Sequence, residues 1–291
     1  MKNVICYYHN RDLDGWCSGA IVRRFYETIK NTKIILEGWD YNLPVPNFNN
    51  YDTIIMCDIS FPEKDMYKLR EYEIKGKEII WLDHHLSSIK KSKEYIYPYD
   101  KLNGIRSTNF AACELTWEYF FGGVHPKLVT YLGKYDSFRH KKEKNVEEIE
   151  AFQYASRSKI NSLDTFKDEY LDFGPYTITN WIAEGKIILN YLKTDAKLKY
   201  ESRLETKIGD LKICVINERH YNPSVFGINY IEDGYDALIS FYRTDSKNWG
   251  FSIYSYKDGI DCSNIAGKYG GGGHKGAAGF VSDKIPFEFM E

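Results

Sequence analysis

A chain of 291 residues with 43% hydrophobic content is long enough to bury one large core or two modest ones, which excludes a disordered protein. A formal net charge of −2 gives no field able to hold a long polyanion, so any nucleic-acid substrate is expected to be short. Apolar runs such as Thr53 to Cys57 fall far short of the roughly 20 residues of a bilayer span, no charged-then-apolar leader opens the chain, and six scattered cysteines without a CxxC pair suit a reducing compartment; the expectation is a cytoplasmic protein with no membrane partner.

In chain order, Val4 to Tyr8 reads as a strand and Gly15 to Lys30 as the helix after it. Thr53 to Cys57 is a second strand, Pro62 to Lys75 a helix, and Glu78 to Leu82 a third strand. Strands alternating with helices predict an α/β fold, with a parallel sheet covered by helices on both faces. From Asn109 to about Lys207 the pattern is mostly helical, and Thr179 to Thr206 contains no proline and only Gly185, so one long helix or two joined end to end would form a linker. After Gly209, strand-like segments at Leu211 to Ile216, Ala237 to Tyr242 and Phe251 to Ser255 lead to a helix at Ser263 to Tyr269, a glycine run and a last strand at Ala277 to Ser282. The predicted layout is therefore a parallel-sheet domain over 1–176, a helical linker over 177–208 and a smaller α/β domain over 209–291. Lys141 to Lys144 reads as a solvated basic surface in a loop.

Acids and histidines follow the strands. The first runs into His9, Asp12 and Asp14, the second into Asp58, and the third into Asp83, His84 and His85. In a doubly wound sheet the carboxyl ends of neighbouring strands meet in one crevice, the usual ligand site. Carboxylates crowded there cannot all stay ionised without a cation, and a mixed carboxylate and imidazole set suits manganese, cobalt, iron or zinc better than magnesium. Each piece alone has an ordinary explanation: Asp12 to Gly15 as a turn or helix cap, Asp58 as a cap of the helix near Pro62, His84 and His85 as hydrogen-bonded histidines. Their joint placement after three strands favours the metal. The glycine run satisfies a dinucleotide fingerprint in letters, but it lies between a helix and a strand in the wrong order, so a nicotinamide site is rejected. It serves either as a tight turn or as a phosphate cradle, with His274 and Lys275 supplying donors. Arg106, with helix amides near Phe110, could hold a phosphate oxygen; Ser107, Thr108 or Asn109 as a plain helix cap is the alternative.

The segments His9-Asn10-Arg11-Asp12-Leu13-Asp14-Gly15, Cys57-Asp58-Ile59-Ser60, Asp83-His84-His85 and Gly133-Lys134-Tyr135-Asp136 resemble, in order, the four motifs of the DHH phosphoesterases. Gly270 to Gly276 resembles the glycine-rich signature of the C-terminal domain that accompanies many of them. The resemblance implies one divalent ion on His9, Asp12 and Asp58, and a second on Asp14, Asp58, His84 and Asp136, with Asp58 bridging. It implies Mn2+ as the first choice, with Co2+ or Mg2+ as alternatives. Asp83 would orient a histidine, His85 with Arg106 would neutralise the reacting phosphate, and Gly272, Gly273, His274 and Lys275 would bind the rest of the substrate as the second domain closes over it. Tyr254 stands where many relatives carry an arginine, which bears on terminal-phosphate recognition.

The function so implied is metal-dependent hydrolysis of short nucleotides, with exonucleolytic trimming of short oligoribonucleotides placed first and 3'-phosphoadenosine 5'-phosphate or linear dinucleotides as related targets. A nucleotide-binding regulatory protein without turnover and a single-strand DNA exonuclease of the same family are the alternatives. The sequence leaves a homodimer open.

Overall fold

The computed structural model describes residues 1–41, 43–93, 99–219 and 221–290. The chain parts into two compact units, Met1–Lys186 and Ile187–Glu291.

The first unit opens with β1 (Lys2–His9), α1 (Leu13–Glu27), β2 (Thr32–Trp39), β3 (Thr53–Cys57), α2 (Glu63–Ile74), β4 (Glu78–Leu82) and α3 (Leu86–Lys91). The strands form one parallel sheet in the order β2-β1-β3-β4. All five residues of β3 are buried, which explains its unbroken apolar run: a parallel strand covered on both faces has no polar side. Ile5, Tyr7, Ile54, Met56, Ile79 and Trp81 on one face pack with Met66 and Leu69 of α2. The other face is covered by α1 and by α4 (Ala112–Phe120). Each such buried large apolar side chain contributes about 1.5–3 kcal/mol, and the sheet rim is fixed by this packing. The unit continues through α5 (Lys127–Asp136), α6 (Val146–Lys159) and α7 (Pro175–Glu201), within which the division between the units falls. The α/β architecture with a parallel first sheet is the one expected from sequence.

Past the division are β5 (Leu204–Ile208), β6 (Leu211–Asn217), α8 (Pro223–Phe226), β7 (Ala237–Arg243), β8 (Trp249–Tyr254), α9 (Cys262–Gly267), β9 (Gly272–His274) and β10 (Ala277–Ser282). They form a mixed sheet in the order β5-β6-β7-β8-β10-β9, in which only β6 and β7 run parallel. The helical pattern expected up to Thr206 stops at Glu201; Leu204 to Ile208 instead pairs with β6 through the turn at Gly209, whose φ is +62°. Its core is aromatic and aliphatic, with Phe251 and Phe280 stacked at 4.4 Å.

All six cysteines are buried free thiols. Among the described residues, no helix is long and apolar enough to cross a membrane.

Candidate metal centre

The strand order places the topological switch between β1 and β3, where crossovers leave in opposite directions and a crevice opens at the carboxyl edge. His9 is the last residue of β1, and Asp58 and Asp83 directly follow β3 and β4. Asp12 caps α1, its Oδ1 accepting from the Gly15 amide at 3.0 Å, while its Oδ2 lies 3.0 Å from His9 Nδ1. One carboxylate thus serves as helix cap and cluster member together. Gly15 is required here, because a Cβ would fall 2.0 Å from the His9 carbonyl oxygen. Asp14, in the first turn of α1, is held by the amides of Ala112 and Cys113 at 2.9 and 2.8 Å, the start of α4. Asp58 adopts a left-handed backbone with φ of +62°, tied by its amide to the Leu82 carbonyl at 2.9 Å. It does not cap α2, whose N-cap is Pro62.

Asp58 turns one oxygen to each half of the cluster. Its Oδ2 lies 3.3 Å from His9 Nδ1, and its Oδ1 lies 3.2 Å from His84 Nε2. The same His84 nitrogen is 3.3 Å from Asp136 Oδ2, at the end of α5, and 3.6 Å from Asp14 Oδ2. The structure therefore brings together all six residues expected as ligands. His9, Asp12 and Asp58 form one group able to hold a metal ion, and Asp14, His84 and Asp136 another. Asp83, fully buried, accepts from the His85 amide at 3.1 Å and lies 2.8 Å from His85 Nδ1, which fixes that ring.

Electrostatics favours a cation. Burial pushes the Asp14 carboxyl well above its ordinary range, and Asp58 and Asp136 push it further. Burial with Asp12 and Asp58 nearby leaves Asp136 at about 6 despite His84. Burial would raise Asp58 too, but His84 and His9 hold it far below the carboxylate range. Burial lowers both imidazoles, yet Asp12 and Asp58 carry His9 up to about 12, while Asp58 and Asp136 carry His84 up to about 11. Positive charge is what this cluster lacks. His9 Nδ1 and Asp58 Oδ1 are buried without a well-aligned hydrogen bond, although oxygens and nitrogens lie within reach. A divalent ion satisfies such atoms without needing a proton on the line between them, so the donor set fits one.

Residues 2–150, just over half of the chain, match the family model described as "DHH family, N-terminal domain". The chain belongs to the DHH family of phosphoesterases. Over 99% of its length it is 26% identical to an uncharacterized protein of Acanthamoeba polyphaga mimivirus, covering 70% of that protein. Over 96% of its length it is 22% identical to the oligoribonuclease NrnB of Bacillus subtilis (strain 168), covering 73% of it. Among solved structures, the DHH domain of a member of the s1p family of ribosomal proteins superposes with a TM-score of 0.54 at 12% identity, covering 99% of this chain and 83% of that one, and shows the shared fold.

Other residues expected to act fall elsewhere in this DHH protein. The Arg106 guanidinium donates to the carbonyls of Asp100, Trp81 and Asn103 at 2.6, 3.2 and 3.2 Å and lies over the Trp81 ring, bracing backbone rather than joining the cluster. The helix amides expected to assist it belong to α4, which begins at Ala112, and are taken by Asp14; the Ala111 amide is bonded to Glu114. Gly272, Gly273, His274 and Lys275 lie exposed in the β9–β10 hairpin of the second unit. β9 itself was not expected from sequence. Gly271 is glycine because a Cβ would meet the Gly279 carbonyl oxygen at 2.1 Å, whereas a Cβ on Gly272 would meet nothing within 4 Å. Of the basic run, Lys141 pairs with Glu150 of α6 at 2.8 Å.

Two residues near the cluster escaped the sequence reading. Glu114, 2% exposed, ion-pairs with Arg139 just beyond Asp136. Asp40 follows β2 and ion-pairs with Arg11. The signal for Asp40 was the one used for the other strands, an apolar run, here Ile34, Ile35 and Leu36, with an acid a few residues after it, but β2 was not read as a strand.

Proposed function

We propose that this DHH phosphoesterase hydrolyses short nucleotides in a two-metal site, with short oligoribonucleotides as its preferred substrates. The observation that carries the proposal is Asp58, buried between two ligand groups with one oxygen toward each. His9, Asp12 and Asp58 would hold one divalent ion, and Asp14, Asp58, His84 and Asp136 the other; Mn2+, one of the ions that a mixed carboxylate and imidazole set suits, is the first choice, with Co2+ and Mg2+ as alternatives. When bound, such a pair supplies Lewis-acid polarisation of the phosphoryl group and of an attacking water for in-line displacement. The protein's own groups set position and charge. Asp14 is fixed by two amides and Asp58 by its backbone, so neither must reorganise as charge develops. His85, oriented by Asp83 and partly exposed, donates to an equatorial phosphate oxygen. The exposed Gly272, Gly273, His274 and Lys275 offer donors to other substrate phosphates.

The substrate class is supported by the near-neutral charge, which suits short ligands, and by the likeness to NrnB, named an oligoribonuclease, over 96% of this chain and 73% of that protein. A 5'-phosphorylated dinucleotide, a longer oligomer, a cyclic dinucleotide and 3'-phosphoadenosine 5'-phosphate, each with Mn2+ or with chelator, test it. Turnover of the dinucleotide and short oligomer with Mn2+ and none with chelator is expected. Tight nucleotide binding without release in any condition would contradict the proposal and favour a regulatory nucleotide-binding protein.

A further inference from the structure

β2 is the hydrogen-bonded neighbour of β1, with His9 in register with Trp39, so the residue after Trp39 stands beside the loop from His9 to Asp12. That loop crosses β2 closely: the Asn10 amide donates to the Trp39 carbonyl at 3.1 Å, and the Asn10 side chain fills the space where a Cβ on Gly38 would be, 2.5 Å from its Cγ. The crossing delivers Arg11 to Asp40. Arg11 Nε bonds Asp40 Oδ2, and Asp40 Oδ1 accepts from the Tyr41 amide at 2.8 Å and stands 4.0 Å from His9 Nε2. The Asp40 side chain is only 17% exposed. On the opposite edge of the same imidazole, Nδ1 faces Asp12 and Asp58 at 3.0 and 3.3 Å. The Tyr41 ring closes one side at 6.2 Å.

A neutral imidazole that gives a lone pair through one nitrogen carries its proton on the other, and the group accepting that proton selects the tautomer. We infer that Asp40 is a positioning residue for His9: it accepts the Nε2 proton, so that the Nδ1 lone pair points at the space between Asp12 and Asp58, and Arg11 holds Asp40 to this task. The inference rests on the reading of His9, Asp12 and Asp58 as ligands of one ion. The 4.0 Å separation is longer than a hydrogen bond, so the bond that the inference requires would form by a side-chain adjustment of Asp40 toward Nε2.

Positioning and bare charge make opposite forecasts for Arg11. If Asp40 acted only through its negative field, removing the Arg11 cation would tighten metal binding; if Asp40 must be held in place, it weakens binding. Calorimetric titration of metal-free protein with Mn2+ separates them. In Asp40→Asn, one of the two Mn2+ binding events is expected to weaken about 10–100-fold, the range for such outer partners. Arg11→Met is expected to weaken the same event, Asp40→Glu to bind more tightly than Asp40→Asn, and the metal-free variants to melt as the wild type does. Wild-type affinity in Asp40→Asn overturns the inference, as does tighter binding in Arg11→Met or loss of the metal-free fold in both variants. Wild-type protein that takes up no Mn2+ sinks the metal reading itself, and the inference with it.

Discussion

At the carboxyl edge of the first unit's sheet, Asp14 of α1, Asp58 and His84 are buried among further carboxylates, and His9 Nδ1 and Asp58 Oδ1 have no aligned partner. In the β9–β10 hairpin of the second unit, Gly272, Gly273, His274 and Lys275 are all exposed, and the glycine at 271 is explained by the nearness of the β10 backbone. The two motifs are equally conspicuous as letters. The first is costly to the fold, since charges taken out of water lose several kcal/mol of hydration each that their mutual pairing only partly repays. The second needs no ligand to account for part of it, because a hairpin packed that closely selects glycine on steric grounds. A motif that folding disfavours speaks more directly for function than one folding already explains.

The widest separation between the two regions is expected from Asp58→Asn. Asparagine tolerates the left-handed backbone at this position, so the substitution removes charge without adding strain. Mn2+ stoichiometry should fall below two, and turnover of a 5'-phosphorylated dinucleotide should drop at least about 10²–10³-fold, the cost of losing one preorganised electrostatic group; near-normal turnover would refute the bridging role. Next comes removal of the metal. At a free Mn2+ concentration about 100 times Kd, each bound ion should stabilise the protein by about 2.7 kcal/mol. A melting curve should show this gain lost on chelation in wild type and smaller in Asp58→Asn.

Within the hairpin the effects are smaller and divide by position. Gly271→Ala should destabilise by about 1–3 kcal/mol, since its Cβ meets backbone that cannot yield. Gly272→Ala has open space and should stay within about 0.5 kcal/mol of wild type in denaturant unfolding. If Gly272→Ala nevertheless raises KM, the hairpin backbone approaches substrate and the contrast between the regions narrows. His274→Ala should act on substrate binding alone: a KM increase of about tenfold, one hydrogen bond to a charged phosphate, with kcat and Mn2+ stoichiometry unchanged.

The parallel sheet was legible because β1, β3 and β4 are apolar runs ending in acids or histidines, and a strand buried on both faces leaves little ambiguity. β2 was missed because it is only partly buried and interrupted by Lys33, Glu37 and Gly38, so its apolar pattern is diluted, and Asp40 went with it. β9 was missed because Gly272 and Gly273 carry no strand propensity; pairing with β10 makes the strand. At the site, residue types and strand ends made His9, Asp12, Asp14, Asp58 and His84 readable, whereas Asp136, at the end of a helix, was expected only from the resemblance to the DHH motifs. Arg106 was not, since an arginine that binds phosphate and one that ties three carbonyls look alike in sequence. Nor was the anchoring of Asp14 by the start of α4, a contact spanning 98 residues.

Anomalous diffraction from a Mn2+-soaked crystal tests the two-ion centre most directly. Two peaks are expected, one touching His9, Asp12 and Asp58 and the other Asp14, Asp58, His84 and Asp136, with Asp58 shared. A single peak that avoids Asp58, or none at saturating Mn2+, would contradict it.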